Sequence, residues 1–268
     1  MTTSRDPRFL LTNDDGIGTV GFRALYDALS SVGEVIAVAP ADDRSAVGRS
    51  MSHGVSVEEH ELGYAIEGTP ADCTVAGLES LCPDVDMVVS GCNKGANLGS
   101  YVLGRSGTVS AAVEAAFFDV PAIAISLYIP AGTGESYREF EVTESDYAEA
   151  TRAARYLAEH AEDAGVFDTA EYLNVNAPWP DESPARMVVT RPSTLYDMTA
   201  ERDGDHIALH DRTWDVMKRG TVPDPVGTDR RAIADGHVSV SPLTAPHTTR
   251  HHDELDRLAD SYASEAGD

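Results

Sequence analysis

Lysine is almost absent from this chain of 268 residues, and basic residues are few overall. Lys94 and Lys218 are the lysines among 20 basic residues, against 45 aspartates and glutamates, and the formal net charge is -25. A surface this acidic repels the phosphates of nucleic acids and the headgroups of anionic membranes. The composition therefore argues against a nucleic-acid partner and against a membrane partner.

Cysteine is also scarce, and long apolar runs are missing. Cys73, Cys82 and Cys92 lack the spacing of a zinc site or a redox motif, so we expect buried free thiols. No stretch approaches the roughly 18 apolar residues of a membrane span, and residues 1–8 have no apolar signal-peptide centre. The expectation is a soluble, cytoplasmic protein.

The acidic residues are spread along the chain rather than gathered into one tail, and 42% of all residues are hydrophobic. That proportion is enough for a packed core, so disorder is not indicated. At molar salt the Debye length is roughly 3 Å, which screens the self-repulsion of such a surface. We therefore predict a folded protein adapted to a salt-rich cytoplasm.

Short apolar runs alternate with helical patterns through most of the chain. Residues 9–12, 20–32 and 35–39 predict a strand, a helix and a strand, which form a βαβ unit with a parallel pair. The alternation continues with helices predicted over 70–81, 108–118 and 145–164, and strands over 87–89, 122–126 and 172–175. It predicts a three-layer, Rossmann-like α/β fold with a mostly parallel sheet.

The pattern changes after about residue 178. Short alternating runs at 186–190 and 206–209 predict hairpins, residues 238–240 a strand, and residues 252–263 a terminal helix. We expect one domain over residues 1–268. Its core covers about 8–177, and its extension covers about 178–268 with a late core strand near 237–241.

The pair Asp14–Asp15, at the end of the first predicted strand, is the most informative motif. Two adjacent carboxylates are unfavourable unless a cation lies between them, although Asn-Asp-Asp-Gly also suits a solvated turn. Because the carboxyl ends of parallel strands meet at one edge, the pair should face Arg44–Ser45 and the glycine-rich turn at 90–99. Oxygen donors from Asp, Ser and Asn suit Mg²⁺ or Mn²⁺.

Features typical of phosphate binding lie at the same predicted edge. Glycines around Asn93 allow the backbone to approach an anion, and residues 105–108 open a helix whose first N–H groups are unpaired. Each loop also has a plain structural interpretation, such as an N-cap at Ser106 or Thr108. Residues 16–21 spell the dinucleotide pattern G-x-G-x-x-G, but the two carboxylates beside it would repel a pyrophosphate.

Taken in order and spacing, these motifs resemble the SurE (survival protein E) family. The resemblance covers about residues 8–128 and returns at 227–229 and 238–243. Its segments are Leu11-Thr12-Asn13-Asp14-Asp15-Gly16, Ala39-Pro40 with Asp43-Arg44-Ser45, Gly68-Thr69-Pro70-Ala71-Asp72-Cys73, the stretch Val88 to Gly99, and Ser106-Gly107-Thr108-Val109. It implies an α/β fold and a metal-dependent phosphomonoesterase, a 5′-nucleotidase that hydrolyses nucleoside 5′-monophosphates.

The resemblance also implies particular residues and a cofactor. One divalent cation per subunit, Mg²⁺ or Mn²⁺, would be bound by Asp14, Asp15, Ser45 and Asn93, and of these Asp14, Asp15 and Asn93 would be catalytic. The substrate's phosphate would meet Asn13, Gly95, Asn97, Ser106, Gly107 and Thr108. Family subunits associate through their hairpins and C-terminal segments, which implies a homodimer or homotetramer.

Two features depart from the family pattern. Arg105 stands before Ser-Gly-Thr where family members usually carry Tyr, and the stretch from Gly99 to Ser106 is one residue longer than in many relatives. These departures concern the wall of the site next to the substrate.

The chemistry expected from these residues is hydrolysis of a phosphate monoester by metal-activated water. A phosphoaspartyl route is less favoured, because ligation of a cation already occupies both acids. A non-catalytic nucleotide-binding regulatory module and an NAD-type oxidoreductase are the other two functions that the motifs leave open.

The charge of the chain yields the first testable prediction. We expect its free energy of unfolding to rise with KCl concentration, because screening removes repulsion among 45 acidic side chains. Thermal unfolding followed from dilute buffer to molar KCl measures this dependence. Equal stability at both ends of the series would contradict salt adaptation.

Overall fold

A computed structural model describes residues 5–130, 139–248 and 253–265. Its strands are β1 (Arg8–Thr12), β2 (Glu34–Pro40), β3 (Val57–His60), β4 (Gly63–Ile66), β5 (Met87–Lys94), β6 (Ala122–Leu127), β7 (Tyr172–Ala177), β8 (Met187–Val189), β9 (Met198–Asp203), β10 (His206–Asp211) and β11 (Val238–Leu243). Its α-helices are α1 (Val20–Ser30), α2 (Pro70–Ala76), α3 (Ser100–Leu103), α4 (Gly107–Phe117), α5 (Ala148–His160), α6 (Arg212–Lys218), α7 (Asp229–Ala234) and α8 (Asp253–Glu265).

The main sheet is parallel through its middle. Across the described residues its strand order is β3-β4-β2-β1-β5-β6-β7-β11-β8. The strands from β4 to β7 pair in parallel, whereas β3 is antiparallel to β4 and β11 is antiparallel to β7. Strand β1 is central, with Leu11 opposite Ala37 of β2 and Val89 of β5.

Helices cover both faces of this sheet. Helix α1 buries Phe22, Leu25 and Leu29, which are three and four residues apart, in the cluster that also contains Leu11. Helix α5 contributes to the same cluster, whereas α2 and α4 pack on the opposite face around Leu10. The prediction of a three-layer, mostly parallel α/β fold is confirmed.

Two predicted helices are shorter than their patterns. The stretch 70–81 is α-helical only to Ala76 and continues as a π-helical turn over Gly77–Leu81. The stretch 145–164 begins as a 3₁₀ turn, Glu144–Tyr147, before α5. Sequence patterns locate helix ends poorly because the local hydrogen bonding decides them.

Residues 186–190 contain a strand, as predicted, but the predicted hairpin is wrong because the strand has a different partner. Strand β8 does not form a hairpin but runs parallel to β11 at the sheet edge, where Thr190 N donates to Val240 O at 2.8 Å. Alternation identifies a strand but not its partner, because either orientation buries the same face. The hairpin at 206–209 is confirmed as the antiparallel pair β9–β10, and the hairpin β3–β4 was not predicted.

Further expectations concern the cysteines, the late strand, the terminal helix and membrane-spanning helices. Cys73, Cys82 and Cys92 are buried free thiols, as predicted. The late strand is β11, and the terminal helix is α8, with residue 252 outside the described residues. Among the described helices none is long and apolar enough to cross a membrane.

The connectivity positions the polar loops. Strands β1, β2 and β5 run in parallel, so the segments that follow them emerge at the same edge of the sheet. Asp14–Asp15 follows β1, Asp43 to Ser45 follows β2, and residues 95–99 follow β5. The helix start at Ser106 belongs to the same edge, because Thr108 contacts Asp14.

Candidate metal and phosphate site

The turn after β1 is fixed by Asn13. Its Oδ1 accepts a hydrogen bond from Gly16 N at 3.2 Å, and its Nδ2 donates to Gly16 O at 2.9 Å. Gly16 has φ +103°, a conformation that glycine adopts readily. Asn13 is fully buried, so its side chain shapes the loop that presents Asp14 and Asp15.

Asp14 is buried, and its Oδ1 accepts a hydrogen bond from Thr108 Oγ1 at 2.6 Å. Asp15 Oδ2 accepts one from Lys94 N at 3.0 Å. Each carboxylate therefore has a second oxygen that these two bonds do not use. Thr108, which was predicted to touch phosphate, contacts Asp14 through its hydroxyl.

Burial makes the negative charge of this pair unfavourable. Desolvation raises the pKa of Asp14, although hydrogen bonds from Thr108 offset part of that effect. Desolvation, followed by the charge of Asp14, raises the pKa of Asp15 to about 7. A bound cation would reverse both effects, because it stabilises the ionised forms.

The loop after β2 is tied to Asp14 through its backbone. Arg44 N donates to Asp14 O at 2.7 Å. Beside it, Asp43 Oδ1 accepts from Ser45 N at 2.8 Å and from Ser45 Oγ at 2.6 Å. A hydroxyl that donates in this way still offers lone pairs to a cation, so Ser45 remains available as a ligand.

Sequence reasoning missed the role of Asp43 in this loop. Its negative charge also raises the pKa of both Asp14 and Asp15. The sequence did carry a signal, because an aspartate two residues before a serine typically accepts hydrogen bonds from that serine in a turn.

The loop after β5 brings Asn93 to the same place. The backbone N–H of the next residue, Lys94, binds Asp15, while Asn93 Nδ2 donates to Gly95 O at 2.5 Å. The amide oxygen of Asn93 takes no part in that bond and is a suitable metal ligand. Gly95 thus holds the side chain of Asn93 through its carbonyl oxygen.

Asn97, in contrast, faces the interior of the protein. Its Nδ2 donates to Ser126 Oγ at 2.9 Å, and its backbone N–H donates to Asn176 Oδ1 at 2.7 Å. Its carbonyl oxygen accepts from Asn174 Nδ2 at 2.9 Å and from Asn176 Nδ2 at 3.1 Å. The side chain of Asn97 is therefore engaged in holding the loop.

Asn174 and Asn176 were missed as supporting residues. They alternate on the buried strand β7, and two amides at strand positions expected to be apolar are a usable signal. Farther along the same loop, Asp229 Oδ2 accepts from Gly99 N at 2.6 Å.

Helix α4 begins directly against Asp14. Ser106 is its N-cap, and Ser106 Oγ accepts from Val109 N at 3.1 Å. A Cβ atom at Gly107 would lie 2.7 Å from Asp14 Cβ, so only glycine permits this close approach. The positive end of the helix dipole therefore faces the acidic pair and any anion bound beside it.

The donor set fits a hard divalent cation. In the described part of the chain, no group of three or more His, Cys, Asp and Glu side chains is placed to hold a metal. A cation here would rely on two carboxylates together with the hydroxyl of Ser45 and the amide oxygen of Asn93. Mg²⁺ and Mn²⁺ accept such an all-oxygen set and retain water in the remaining positions.

Within the glycine pattern at 16–21, Gly21 serves packing, whereas a Cβ atom at Gly18 would meet nothing within 4 Å. A Cβ atom at Gly21 would lie 2.5 Å from Cys92 O and 2.7 Å from the ring of Tyr147. Glycine is thus required at residue 21 for α1 to pack against neighbouring elements. Dinucleotide binding is not needed to explain it.

Fold and site together define an α/β protein with an acidic pair, Asp14 buried and Asp15 half-buried, at the carboxyl edge of its sheet and against a helix N-terminus. The family model described as "Survival protein SurE" matches residues 9–197. The chain belongs to the SurE family.

Individual relatives agree with this assignment. The chain is 63% identical to "5'-nucleotidase SurE" of Haloarcula marismortui, over 98% of this chain and 97% of that protein. It is 60% identical to the protein of the same name from Halobacterium salinarum, over 96% and 98%. These sources are haloarchaea, which agrees with the salt-adapted composition.

A solved structure also resembles this one. The crystal structure of the SurE protein from Aquifex aeolicus superposes with a TM-score of 0.74 at 29% sequence identity. The match covers 91% of this chain and 95% of the Aquifex chain.

The raised pKa values yield a second prediction. Because the folded state of the metal-free protein binds the Asp15 proton more tightly than the unfolded state, its stability should fall as pH rises from about 4 through about 7. Mn²⁺ or Mg²⁺ should therefore raise the melting temperature more at pH 8 than at pH 5. At about 100 times Kd the gain is about 2.7 kcal/mol, or about 5–10 °C.

Thermal unfolding in molar KCl, with EDTA or with cation, measures this effect. Asp15→Asn is the informative variant, since it removes the titrating charge and should reduce the gain at pH 8. If the cation stabilises wild type and variant equally at both pH values, the pair is not its site.

Proposed function

We propose that this chain is a 5′-nucleotidase, a phosphomonoesterase that hydrolyses nucleoside 5′-monophosphates to nucleoside and phosphate with the help of a divalent cation. The name of its relatives supports the reaction class. The observation that carries the proposal is the contact of buried Asp14, beside half-buried Asp15, with the first turn of α4. It supports a cation-binding group next to an anion-binding group, which phosphate ester hydrolysis requires.

The proposed cation ligands are Asp14, Asp15, Ser45 and Asn93, with one Mg²⁺ or Mn²⁺ per subunit. A cation bound there supplies Lewis-acid chemistry, since it polarises a phosphoryl oxygen and makes water a stronger nucleophile. Thr108 and the N–H group of Lys94 orient the two carboxylates. Of the four ligands, Asp14, Asp15 and Asn93 are the proposed catalytic residues.

The chain's own groups would bind and orient the phosphate. The first turn of α4 provides backbone N–H groups, and its dipole stabilises the charge that develops on the phosphoryl oxygens. Water attacks phosphorus and the bond from phosphorus to the ester oxygen breaks. One proton of that water passes to the ester oxygen, so the nucleoside leaves as an alcohol and hydrogen phosphate remains. Of the predicted phosphate contacts, Ser106 and Gly107 lie in this turn, and Gly95 lies beside Asn93.

The three remaining predicted contacts act differently in this proposal. The side chains of Asn13 and Asn97 are engaged inside the protein, so we assign them to positioning the turn after β1 and the loop after β5. Thr108 donates a hydrogen bond to Asp14 and lies in the first turn of α4.

Assembly and location are also part of the proposal. The hairpin β9–β10 exposes Ile207 and Leu209, which supports association of subunits into a homodimer or homotetramer through this extension. A cytoplasmic location fits the absence of a membrane-spanning helix among the described residues.

The third prediction tests the reaction directly. We expect phosphate release from nucleoside 5′-monophosphates in molar KCl with Mg²⁺, Mn²⁺ or Co²⁺, and none with EDTA. Asp14→Asn should lower kcat by more than about 100-fold, because altering even an outer partner of a metal ligand costs about 10–100-fold. The fold should persist, since the amide removes a charge that burial disfavours.

The matched control is Asp163→Asn, an exposed aspartate in the turn after α5, at the opposite edge of the sheet. It should leave turnover unchanged. Full activity of a folded Asp14→Asn variant would overturn the proposed metal role. Binding of nucleotide without hydrolysis in any metal would favour a non-catalytic module, and an aspartyl-phosphate mass shift in trapped enzyme would indicate the covalent route.

A further inference from the structure

A cluster of two tyrosines and one arginine stands immediately before the helix start. The rings of Tyr101 and Tyr196 meet edge to face with centroids 5.0 Å apart. The Arg105 guanidinium carbon lies 5.3 Å from the Tyr101 centroid and 5.9 Å from the Tyr196 centroid, and Arg105 Nη2 donates to Tyr196 Oη at 3.4 Å. The cluster therefore combines a planar cation with two aromatic rings.

Its position links it to both sides of the site. Arg105 directly precedes Ser106, the N-cap of α4. Its carbonyl oxygen accepts a hydrogen bond at 3.2 Å from Gly48 N, which belongs to the loop that carries Ser45. The backbone of Arg105 thus lies where the loop that carries Ser45 meets the start of α4, and its side chain extends from there over Tyr101 and Tyr196.

The cluster is fixed on one side and open on the other. Tyr101 is half-buried, its hydroxyl donates to Asp211 Oδ2 at 2.5 Å, and Arg230 lies 5.6 Å from its ring centroid. Tyr196, by contrast, is 58% exposed, and Arg105 is exposed as well. A supported cluster that exposes a tyrosine and a guanidinium group is suited to contact with a flat ligand.

Open space adjoins Tyr196. A cavity of about 270 Å³ is lined by Tyr196 together with Val216, Met217 and Val222. Sites for complete small ligands measure about 300–1,000 Å³, so this space suits part of a ligand rather than a whole nucleotide. Its lining also contains Asp197, Asp224 and Arg230, and the two carboxylates disfavour the phosphate as that part.

We propose that Arg105 and Tyr196 bind the nucleobase of the substrate by stacking, while its phosphate lies at the start of α4. This inference rests on the proposed nucleotidase function and adds the determinant of preference for nucleotides over other phosphate esters. Every base has a π-face, so stacking on a guanidinium or phenol plane discriminates weakly among bases. The subsite should accept purine and pyrimidine nucleotides alike.

The test compares AMP with ribose 5-phosphate, which carries the same phosphate ester without a base. Arg105→Ala and Tyr196→Ala should each raise KM for AMP about tenfold, while KM for ribose 5-phosphate changes less than about twofold. Molar KCl, with a Debye length of roughly 3 Å, suppresses long-range effects of the lost charge. The fourth prediction is therefore a substrate-dependent split in KM.

Three control variants separate stacking from charge and from structure. Tyr196→Phe keeps the ring and should retain the KM for AMP. Arg105→Lys keeps the charge but loses the plane, so it should resemble Arg105→Ala with AMP. Tyr156→Ala removes an exposed tyrosine on α5 and should change neither KM.

Each contrary outcome has a distinct meaning. An equal rise in KM for both substrates would overturn the proposal in favour of a phosphate contact, and no change for either would exclude substrate contact. If wild type hydrolyses neither substrate, the proposed function fails separately. Calorimetric titration of AMP then decides about the subsite: tenfold weaker binding by Tyr196→Ala supports it, and equal or undetectable binding overturns it.

Discussion

The constraint on which this structure depends is the partial removal from water of two adjacent carboxylates at the end of its central strand. Asp14 is buried and Asp15 is half-buried, and desolvation together with the charge of Asp14 raises the pKa of Asp15. The surrounding groups compensate with neutral donors, namely the hydroxyl of Thr108 and the backbone N–H of Lys94. Such donors orient the charges without neutralising them, so the pair is neutralised only when it takes up a proton or a cation.

The arrangement explains why four separate segments converge. The turn after β1 presents the acids, Arg44 N ties the β2 loop to Asp14, and Lys94 N ties the β5 loop to Asp15. Gly107 lets α4 reach Asp14 from the other side. Each neighbouring element thus contacts one of the two acids, and parallel strands make this possible because their carboxyl ends share an edge.

Burial and strand direction also explain how much of this fold could be predicted from the sequence. Apolar periodicity predicted β1, α1 and β2, because burial on one face leaves a regular pattern. The converging loops were predictable from strand direction alone. The pattern at 186–190 revealed a strand but not its parallel partner β11, since pairing depends on distant residues.

Side-chain direction within the loops was not predictable in the same way. Asn93 and Asn97 look alike in a glycine-rich turn, yet the amide of Asn93 donates to Gly95 O within the turn and that of Asn97 binds Ser126 inside the protein. What distinguishes them is β7, whose Asn174 and Asn176 bind the backbone of Asn97. That strand lies almost 80 residues away in sequence, so no local pattern carries the information.

The support of the β5 loop also involves the last third of the chain. Asp229 at the start of α7 accepts from Gly99 N, and its other oxygen accepts from Ser193 N at 2.9 Å. Both contacts are buried and ionic in character, so they are stronger than neutral hydrogen bonds. The segments after residue 178 therefore help to hold the loop that carries Asn93, in addition to forming the exposed hairpin.

A strongly acidic protein that acts on an anionic substrate must attract that substrate through groups in direct contact with it. With a net charge of -25 the surface would repel a phosphate dianion in dilute solution. At molar salt that field decays within roughly 3 Å, so only groups in contact with the ligand influence its binding. In the proposed complex the start of α4, a cation and Arg105 are such groups. Salt therefore permits an acidic surface and a phosphate site in the same molecule, because it removes the repulsion and leaves the contacts.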